Sequence, residues 1–391
     1  MRIGIFTDTY YPQVNGVVTS ILMLEKELRN LGHEVYIFTT SNPKAKDLSE
    51  NIFRLPSMPF IFLPTYRIAF FCSPKMLRKI KNFNLDIIHT QTEFSIGLFG
   101  KMVSKFLKIP MVHTYHTMYE DYVHYIANGY FFKPKAAQKL SKIFCNMAKT
   151  VIGPTQKTKD YLIDYGVKKP IEIIPTGIEL EKFEDCVSPE KIMDLKKNLG
   201  LKTSDFVILF LGRVAKEKSI DVLISQMPNI IKKVKSAKLL IVGGGPYLEK
   251  LKDLSCDLCM SENIFFTGEI SWQQINLYYK LADVFVTAST SETQGLTCIE
   301  AMASEVPVIC KNDPSVQNLI EDKKNGFLFD DAKELSGIIY DLKQNRQLRE
   351  KITSNAKITV EGLSCNSFAK SVQDIYYQVI KNEYKKRMTN V

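Results

Sequence analysis

Two kinds of hydrophobic pattern alternate along the chain and predict its secondary structure. Short runs rich in Val, Ile and Phe predict buried strands, whereas apolar residues recurring every three or four positions predict amphipathic helices. In the first half, the predicted strands are residues 3–7, 35–39, 86–89, 111–113 and 150–153, and the clearest predicted helices are residues 20–31 and 96–107. This alternation is typical of βαβ units around a parallel sheet.

The same alternation restarts near residue 200, which predicts a second α/β domain. Its predicted strands are residues 206–211, 238–242, 263–266, 283–287 and 306–309. We therefore predict an α/β fold of two facing Rossmann-like, doubly wound domains, residues 1–175 and residues 200–365, joined by a linker at residues 176–199. Ligands of such sheets bind at the carboxyl ends of the strands, which two facing domains would place across one cleft.

The last segment, residues 366–391, is predicted to be a helix that returns to the first domain. Its apolar residues at helical spacing are Phe368, Val372, Ile375, Tyr376 and Val379. A stripe of this kind needs an apolar surface to cover it.

Composition is that of an ordinary folded protein. Of the 391 residues, 45% are apolar and 24% are charged, which excludes a disordered chain. No signal-peptide pattern follows Met1, and no run of 18 apolar residues occurs. Eight cysteines without a repeating framework predict reduced thiols. We expect a cytoplasmic protein.

The net charge of +10 is concentrated in one segment. Residues 66–149 hold thirteen Lys or Arg against four Asp or Glu. The basic residues at its start that are candidates for membrane contact are Lys75, Arg78, Lys79 and Lys81. A solvated basic face, a nucleic-acid surface and an anionic membrane surface are all compatible with this charge.

An apolar stretch with three prolines, residues 55–64, precedes the basic segment. Its Phe60 and Phe62 could pack on the domain or enter the headgroup region of a bilayer. The chain has no base-reading or base-stacking motif of the RNA-binding kind. The two neighbouring features therefore favour a membrane surface as partner and no nucleic acid.

The most informative stretch is residues 289–303, in which two carboxylates, Glu292 and Glu300, flank Gly295. A predicted strand precedes this stretch and a predicted helix starts at Leu296, so Glu292 lies in the loop and Glu300 in the helix. Gly295 allows backbone N–H groups to approach an anion at the helix N-terminus. Carboxylates beside an anion-binding turn suit a ligand with hydroxyls and phosphate, namely a nucleotide-sugar.

Other strand-to-helix loops carry residues suited to the same ligand. Gly16 allows close backbone approach to a phosphate or sugar, although a simple turn would also explain it. Arg213 and Lys218 follow the first strand of the second domain and can neutralise a diphosphate. Gly244 lies in a glycine turn, with phosphate or ribose packing nearby. The first loop lacks the GxGxxG spacing, so a nicotinamide enzyme is not indicated.

His116 follows the strand predicted at residues 111–113 and is a candidate for contacting the sugar, with a structural hydrogen bond as the alternative. The histidine spacings match no HExxH zinc site. The chain also has no Asp-x-Asp pair. No tightly bound cofactor is therefore predicted, and Mg²⁺ would be compatible with a diphosphate although no motif requires it.

In their order along the chain, these motifs resemble those of family-4 retaining glycosyltransferases of the GT-B architecture. The resemblance covers essentially the full length and rests on Asn15-Gly16, His116, Gly-Arg-x4-Lys at residues 212–218 and the Glu-x7-Glu pair at Glu292 and Glu300. It implies that Glu292 contacts the donor hexose and Glu300 the ribose. It also implies that Arg213 and Lys218 bind the diphosphate.

The resemblance implies further roles in the donor pocket. Gly16 would lie close to the diphosphate, Ile270 would meet the base, and His116 would hold a donor hydroxyl and help to place developing positive charge. The backbone of Gln294, Gly295 and Leu296 would line the phosphate and sugar pocket. The commoner family pattern after the first Glu is Gly-Phe-Gly, whereas this chain has Thr293-Gln294-Gly295, which leaves Gln294 free to contact the donor sugar or acceptor.

Three longer stretches, within residues 8–20, 113–126 and 292–296, look like those of bacterial 1,2-diacylglycerol 3-glucosyltransferases. These enzymes make α-monoglucosyldiacylglycerol from UDP-glucose at the inner membrane face. The resemblance thus implies transfer of glucose, with retention, to the 3-hydroxyl of diacylglycerol by a peripheral enzyme. UDP-glucose, diacylglycerol and an anionic membrane surface are the expected partners.

Alternatives stay open at this point. A mannosyl- or galactosyltransferase acting on another lipid, such as phosphatidylinositol, would use the same motifs. A nucleotide-sugar 2-epimerase of the same architecture would act without an acceptor. A non-catalytic membrane-binding protein is disfavoured because Glu292, Arg213 and Lys218 are all present.

Overall fold

The computed structural model describes residues 1–13, 15–45, 49–60, 63–70, 74–117, 134–290 and 292–389. They form two compact units, one of Met1–Gly177 with Cys365–Val391 and one of Ile178–Ser364. Each unit contains a parallel sheet flanked by helices. Two α/β domains had been predicted, and the fold class is confirmed.

The first unit has nine described strands. They are β1 (Arg2–Phe6), β2 (Glu34–Thr40), β3 (Ile52–Leu55), β4 (Ser57–Phe60), β5 (Leu63–Ala69), β6 (Ile87–Thr90), β7 (Met111–Thr114), β8 (Thr150–Gly153) and β9 (Ile171–Ile173). Seven form a parallel sheet in the order β3-β2-β1-β6-β7-β8-β9, and β4 and β5 form an antiparallel hairpin. The proline-rich stretch therefore contributes a hairpin outside the main sheet, where missing N–H donors are tolerated.

Five helices are described within residues 1–177, and the predicted helices at residues 20–31 and 96–107 correspond to the first and third of them. They are α1 (Gly16–Asn30), α2 (Pro74–Asn82), α3 (Ser95–Leu107), α4 (Pro134–Cys145) and α5 (Gln156–Asp164). Helix α1 begins after Asn15, whose side-chain oxygen accepts a hydrogen bond from the Val18 N–H at 2.9 Å. This bond satisfies one of the backbone donors that a helix start leaves without an intrahelical partner.

The second unit has a six-stranded parallel sheet. Its strands are β10 (Phe206–Leu211), β11 (Ala237–Val242), β12 (Ile264–Gly268), β13 (Val284–Thr287), β14 (Val308–Lys311) and β15 (Phe327–Phe329). Their order is β12-β11-β10-β13-β14-β15. All six residues of β10 are buried, as expected for a strand covered by helices on both faces.

Eight helices of the second unit are described. They are α6 (Leu180–Glu184), α7 (Pro189–Asn198), α8 (Ile220–Lys233), α9 (Leu248–Asp257), α10 (Ile275–Leu281), α11 (Leu296–Ala303), α12 (Leu335–Gln344) and α13 (Arg346–Glu361). Helices α6 and α7 lie within residues 176–199, the segment predicted as a linker. Their apolar side chains, Leu180, Phe183, Ile192 and Leu195, pack into one of this unit's two cores.

The C-terminal helix α14 (Cys365–Thr389) packs on α1 of the first unit. The five residues predicted to form its apolar stripe are all buried there, in one cluster with Ile3, Ile5 and Leu24. Lys149 and Glu383 add an ion pair at 2.7 Å. The predicted return of this helix to the first domain is confirmed.

Strand order determines where a ligand can enter each unit. In both sheets the chain first builds outward in one direction and then reverses, between β1 and β6 in the first unit and between β10 and β13 in the second. At such a reversal the loops leaving the carboxyl ends of the two strands diverge and leave a crevice.

Candidate active site

Lys218 and Glu292 meet at the crevice of the second unit. Lys218 ends a short 3₁₀ turn that follows β10, and Glu292 lies in the loop after β13. The Lys218 Nζ donates to the Glu292 Oε1 at 2.6 Å, and the two side chains are only 16% and 21% exposed. Because water screens this pair little, its attraction exceeds that of a surface ion pair. The residue predicted to bind the diphosphate, Lys218, and the residue predicted to bind the sugar, Glu292, are thus adjacent.

The loop that carries Glu292 ends at the start of α11. Gly295, the residue before this helix, has a φ of +71°, in the left-handed region that favours glycine. An added Cβ would also lie 3.2 Å from the Val316 Cγ1. The first N–H groups of a helix carry partial positive charge, so the start of α11 at Leu296 offers donors to an anion. Gln294 is buried, and its predicted contact with the donor sugar or acceptor stays a prediction.

The triple-glycine turn packs directly on the loop after β10. The Val214 N–H donates to the Gly244 carbonyl at 2.9 Å. A Cβ on Gly243 would lie 2.0 Å from the Gly212 carbonyl oxygen, so this approach requires glycine. Gly244 is thereby held beside the loop that presents Arg213, whose side chain is exposed. The geometry gives the glycines a structural role in positioning this loop.

Glu300 is buried within α11 and has a partner that its sequence spacing did not predict. The Tyr279 hydroxyl, on α10, donates to the Glu300 Oε2 at 2.8 Å. Burial raises the pKa of Glu300 to about 7, while the Tyr279 hydrogen bond and the charge of Lys182 act in the opposite direction. Lys182 lies with its Nζ 4.0 Å from the centre of the Trp272 ring. Glu300 is therefore partly protonated near neutral pH.

The raised pKa of Glu300 predicts a pH-dependent stability. The unfolded carboxyl ionises near 4.5 and the folded one near 7, so stability is lost as pH rises between these values. Glu300→Gln keeps an acceptor for Tyr279 and removes the ionisation. We expect wild type to lose roughly 3 kcal/mol relative to this variant between about pH 4 and about pH 8. Urea unfolding of both proteins across this range measures the difference, and parallel curves would contradict it.

Ile270 follows β12 and is half-buried against the core that includes Tyr278 and Ile299. Its predicted contact with the base stays a prediction. In the first unit, Gly16 is the exposed first residue of α1. The N-terminus of α1 thus lies at the carboxyl end of β1, where a phosphate could approach its backbone.

His116 follows β7 in the first unit and is half-buried. Its Nε2 lies 2.6 Å from the Oε1 of Gln91, which follows β6. Burial, with a contribution from the neighbouring His113, lowers the pKa of His116 to about 3, so the ring is neutral at physiological pH. Sequence reasoning did not identify Gln91. Its position two residues after His89, at a strand end, was the available signal.

The predicted membrane residues lie on two elements. Lys75, Arg78, Lys79 and Lys81 are all exposed on α2, whose Ile80 is buried. Phe60 ends β4 and is half-buried, whereas Phe62 lies outside the described residues. The hairpin adds exposed apolar side chains that were not predicted, Met58 and its cross-strand neighbour Ile68. Strand alternation within residues 57–69 could have identified them.

Within the described ranges, no group of three or more His, Cys, Asp or Glu is arranged to hold a metal ion. Over the same ranges, no helix is long and apolar enough to cross a bilayer.

Two doubly wound α/β units with charged loops at their strand ends are the components of the GT-B architecture. The chain belongs to glycosyltransferase family 4. The family model described as Glycosyltransferase Family 4 matches residues 14–182, and the model described as Glycosyl transferases group 1 matches residues 192–359. The chain is accordingly a glycosyltransferase.

Two curated relatives match almost the whole chain. An alpha-monoglucosyldiacylglycerol synthase of Streptococcus pneumoniae is 42% identical over 99% of this chain and 88% of its own length. A protein of the same description from Acholeplasma laidlawii is 36% identical over 99% of both chains. Among solved structures, Anabaena HepE in complex with UDP-glucose has a TM-score of 0.77 at 19% identity, covering 97% of this chain and 100% of that one. This likeness shows the fold.

Proposed function

We propose that this glycosyltransferase moves glucose from UDP-glucose to the 3-hydroxyl of 1,2-diacylglycerol, with retention, and so makes α-monoglucosyldiacylglycerol. The observation that carries the donor half is the shielded Lys218–Glu292 pair beside the start of α11. It combines a cation, a carboxylate and helix N–H donors, which a sugar diphosphate can use together. The acceptor half is supported by the two relatives described as alpha-monoglucosyldiacylglycerol synthases.

In the proposed reaction, the bond between the sugar C1 and the diphosphate oxygen breaks as the diacylglycerol hydroxyl attacks C1 from the same face. Lys218, Arg213 and the N-terminus of α11 stabilise the charge that develops on the leaving diphosphate. A leaving-phosphate oxygen takes the proton of the acceptor hydroxyl, so UDP leaves and no covalent enzyme intermediate is needed. Glu292 accepts hydrogen bonds from the sugar hydroxyls and orients C1. Glu300 takes the ribose hydroxyls.

The acceptor lies in a membrane, so the proposal includes peripheral docking on the anionic inner face of the cell membrane. Four exposed cations on α2 support it, together with the exposed Met58 and Ile68 on the hairpin that precedes this helix. Cationic side chains are attracted to anionic headgroups, and apolar side chains can enter the headgroup boundary. The Lys79 Nζ lies 4.3 Å from the centre of the Phe53 ring, and this cation–π contact attaches α2 to the body of the unit.

A donor panel in vesicles tests the whole proposal. We expect labelled glucose to pass from UDP-glucose to diacylglycerol in vesicles that contain anionic lipid. Transfer and vesicle sedimentation should both fall as salt rises, because surface electrostatics are screened. UDP-galactose, GDP-mannose and vesicles with phosphatidylinositol as acceptor are the comparison arms.

Each alternative has a distinct outcome in this panel. Transfer from GDP-mannose or UDP-galactose in place of UDP-glucose would overturn the glucosyl assignment. A changed nucleotide-sugar formed without any acceptor would instead identify an epimerase. Sedimentation that is independent of salt would assign docking to the apolar hairpin rather than to the cations of α2.

A further inference from the structure

Gln91 is a buried amide with both of its ends in contact with histidines. Only 2% of its surface is exposed. Its Oε1 lies 2.6 Å from the His116 Nε2, and its Nε2 lies 3.2 Å from each of the two ring nitrogens of His89. The amide thus joins His116 to His89 at the carboxyl ends of β6 and β7.

His89 determines which way this amide points. Its Nδ1 already lies 2.6 Å from the Tyr376 hydroxyl, and its Nε2 lies 2.7 Å from the Thr114 Oγ1. A hydroxyl can donate or accept, so both ring nitrogens are satisfied in the ring plane whichever tautomer His89 adopts. The Gln91 nitrogen, at equal distance from both, must lie over the ring face, because in the plane it would collide with the carbon between them.

An N–H over the face of an aromatic ring is attracted by its π electrons, whereas a carbonyl oxygen there would be repelled. The reversed amide is therefore disfavoured. Tyr376 keeps the His89 ring in place from helix α14, with the two rings edge to face at 5.6 Å and 81°. The Gln91 oxygen consequently points at His116.

An amide oxygen only accepts hydrogen bonds, so the His116 Nε2 must carry a proton. Burial keeps this ring neutral, since it lowers the pKa of His116 to about 3. A neutral imidazole has one proton, which leaves Nδ1 as an acceptor. Within the described residues, this Nδ1 makes no hydrogen bond of its own.

We propose that Gln91 is a positioning residue that holds His116 as the Nε2–H tautomer and presents its Nδ1 as the acceptor for a hydroxyl of the donor sugar. The inference rests on the proposed function and on the contact of His116 with a donor hydroxyl that the family resemblance implies. It assigns His116 as a hydrogen-bond acceptor, which excludes it as a general acid. Tautomer selection by a neighbouring acceptor also explains why a neutral amide, and no carboxylate, stands at residue 91, since a carboxylate would favour the charged ring.

Gln91→Met tests the inference, because methionine has a similar length and no acceptor oxygen for the Nε2–H. The matched control is Thr90→Val, which removes the contact of the Thr90 Oγ1 with the His113 Nδ1 at 3.0 Å and leaves the Gln91–His116 bond intact. The chain has five histidines, so ¹⁵N-histidine labelling gives resolvable ring signals, and His116→Ala assigns those of His116.

In wild type and Thr90→Val, we expect the His116 signals of a protonated Nε2 and an unprotonated Nδ1. In Gln91→Met these should change to a mixture of tautomers, and kcat should fall by about 10- to 100-fold, which is the loss typical of partners that orient a metal-ligating histidine. UDP affinity should not change, because UDP lacks the hexose whose hydroxyl His116 would hold. Thermal unfolding of the two variants shows whether they lose similar stability.

Two results would overturn the inference without affecting the proposed function. They are a protonated Nδ1 on His116 in wild type, and unchanged tautomer signals with wild-type kcat in Gln91→Met while His116→Ala is impaired. Wild-type transfer by His116→Ala would instead refute the role of His116 itself, and with it the inference. Absence of transfer from any UDP-sugar by the wild-type enzyme would refute the proposed function and, with it, the contact with the donor sugar. The tautomer assignment would still be decided by the ring signals, which need no substrate.

Discussion

Replacing Glu292 with Gln should lower the rate of glucose transfer by roughly 10²- to 10³-fold, while UDP binds at least as tightly as in wild type. In the proposed site the carboxylate accepts hydrogen bonds from the sugar and also neutralises Lys218 across 2.6 Å. Gln has nearly the same shape but no charge. The attraction between residue 292 and Lys218 is then weaker, so Lys218 is more available to a diphosphate. Transfer and UDP affinity should therefore move in opposite directions, or only transfer should change.

Initial rates with UDP-glucose and calorimetric titration with UDP separate these two quantities. Glu305→Gln is a matched control, because Glu305 also pairs with a lysine, Lys357, at 3.1 Å but does so on the surface of the same unit. It should leave both quantities unchanged. Lys218→Met should weaken UDP binding, which is the opposite sign to Glu292→Gln. A joint loss of transfer and UDP affinity in Glu292→Gln would show that the carboxylate supports the loop rather than the sugar.

The sequence predicted the central strands well and the edge strands poorly. Strands such as β10 are buried on both faces, so they appear as unbroken apolar runs. The three strands at sheet edges that were missed, β3, β9 and β15, have only three or four residues each. An edge strand of this length is selected by pairing with its neighbour in the sheet, which no local pattern records.

The candidate site was predictable to the extent that its chemistry follows strand ends. Glu292 and Lys218 were placed in loops after two separate strands, but their direct pairing needed the strand order, in which β10 and β13 are neighbours. Tyr279 donates to Glu300 from 21 residues away, and this contact results from the packing of two helices against each other. Gln91 was missed for a similar reason. Its oxygen contacts His116, which follows β7, and the ring of His89 that its nitrogen contacts is held by Tyr376 of the C-terminal helix.

The second large effect is expected from Gly243→Ala, which should destabilise the second unit by about 3 kcal/mol and weaken UDP binding roughly tenfold. Gly243 has a φ of +132°, and an added Cβ would lie 2.0 Å from the Gly212 carbonyl oxygen, which belongs to backbone and cannot rotate away. The turn must therefore move off the loop that presents Arg213. Urea unfolding measures the stability, and calorimetry with UDP measures the consequence for the proposed site.

Gly268→Ala separates steric overlap from backbone strain. Gly268 accepts a hydrogen bond from the Gly243 N–H at 3.0 Å and also has a positive φ, of +72°, but nothing lies within 4 Å of an added Cβ. Only the strain of a left-handed backbone conformation applies there. We therefore expect the free energy of unfolding to fall by about 1 kcal/mol and UDP affinity to stay nearly unchanged. Equal losses in the two variants would mean that backbone conformation alone requires glycine at residue 243. The close packing of the turn on the loop after β10 would then have no part in shaping the diphosphate site.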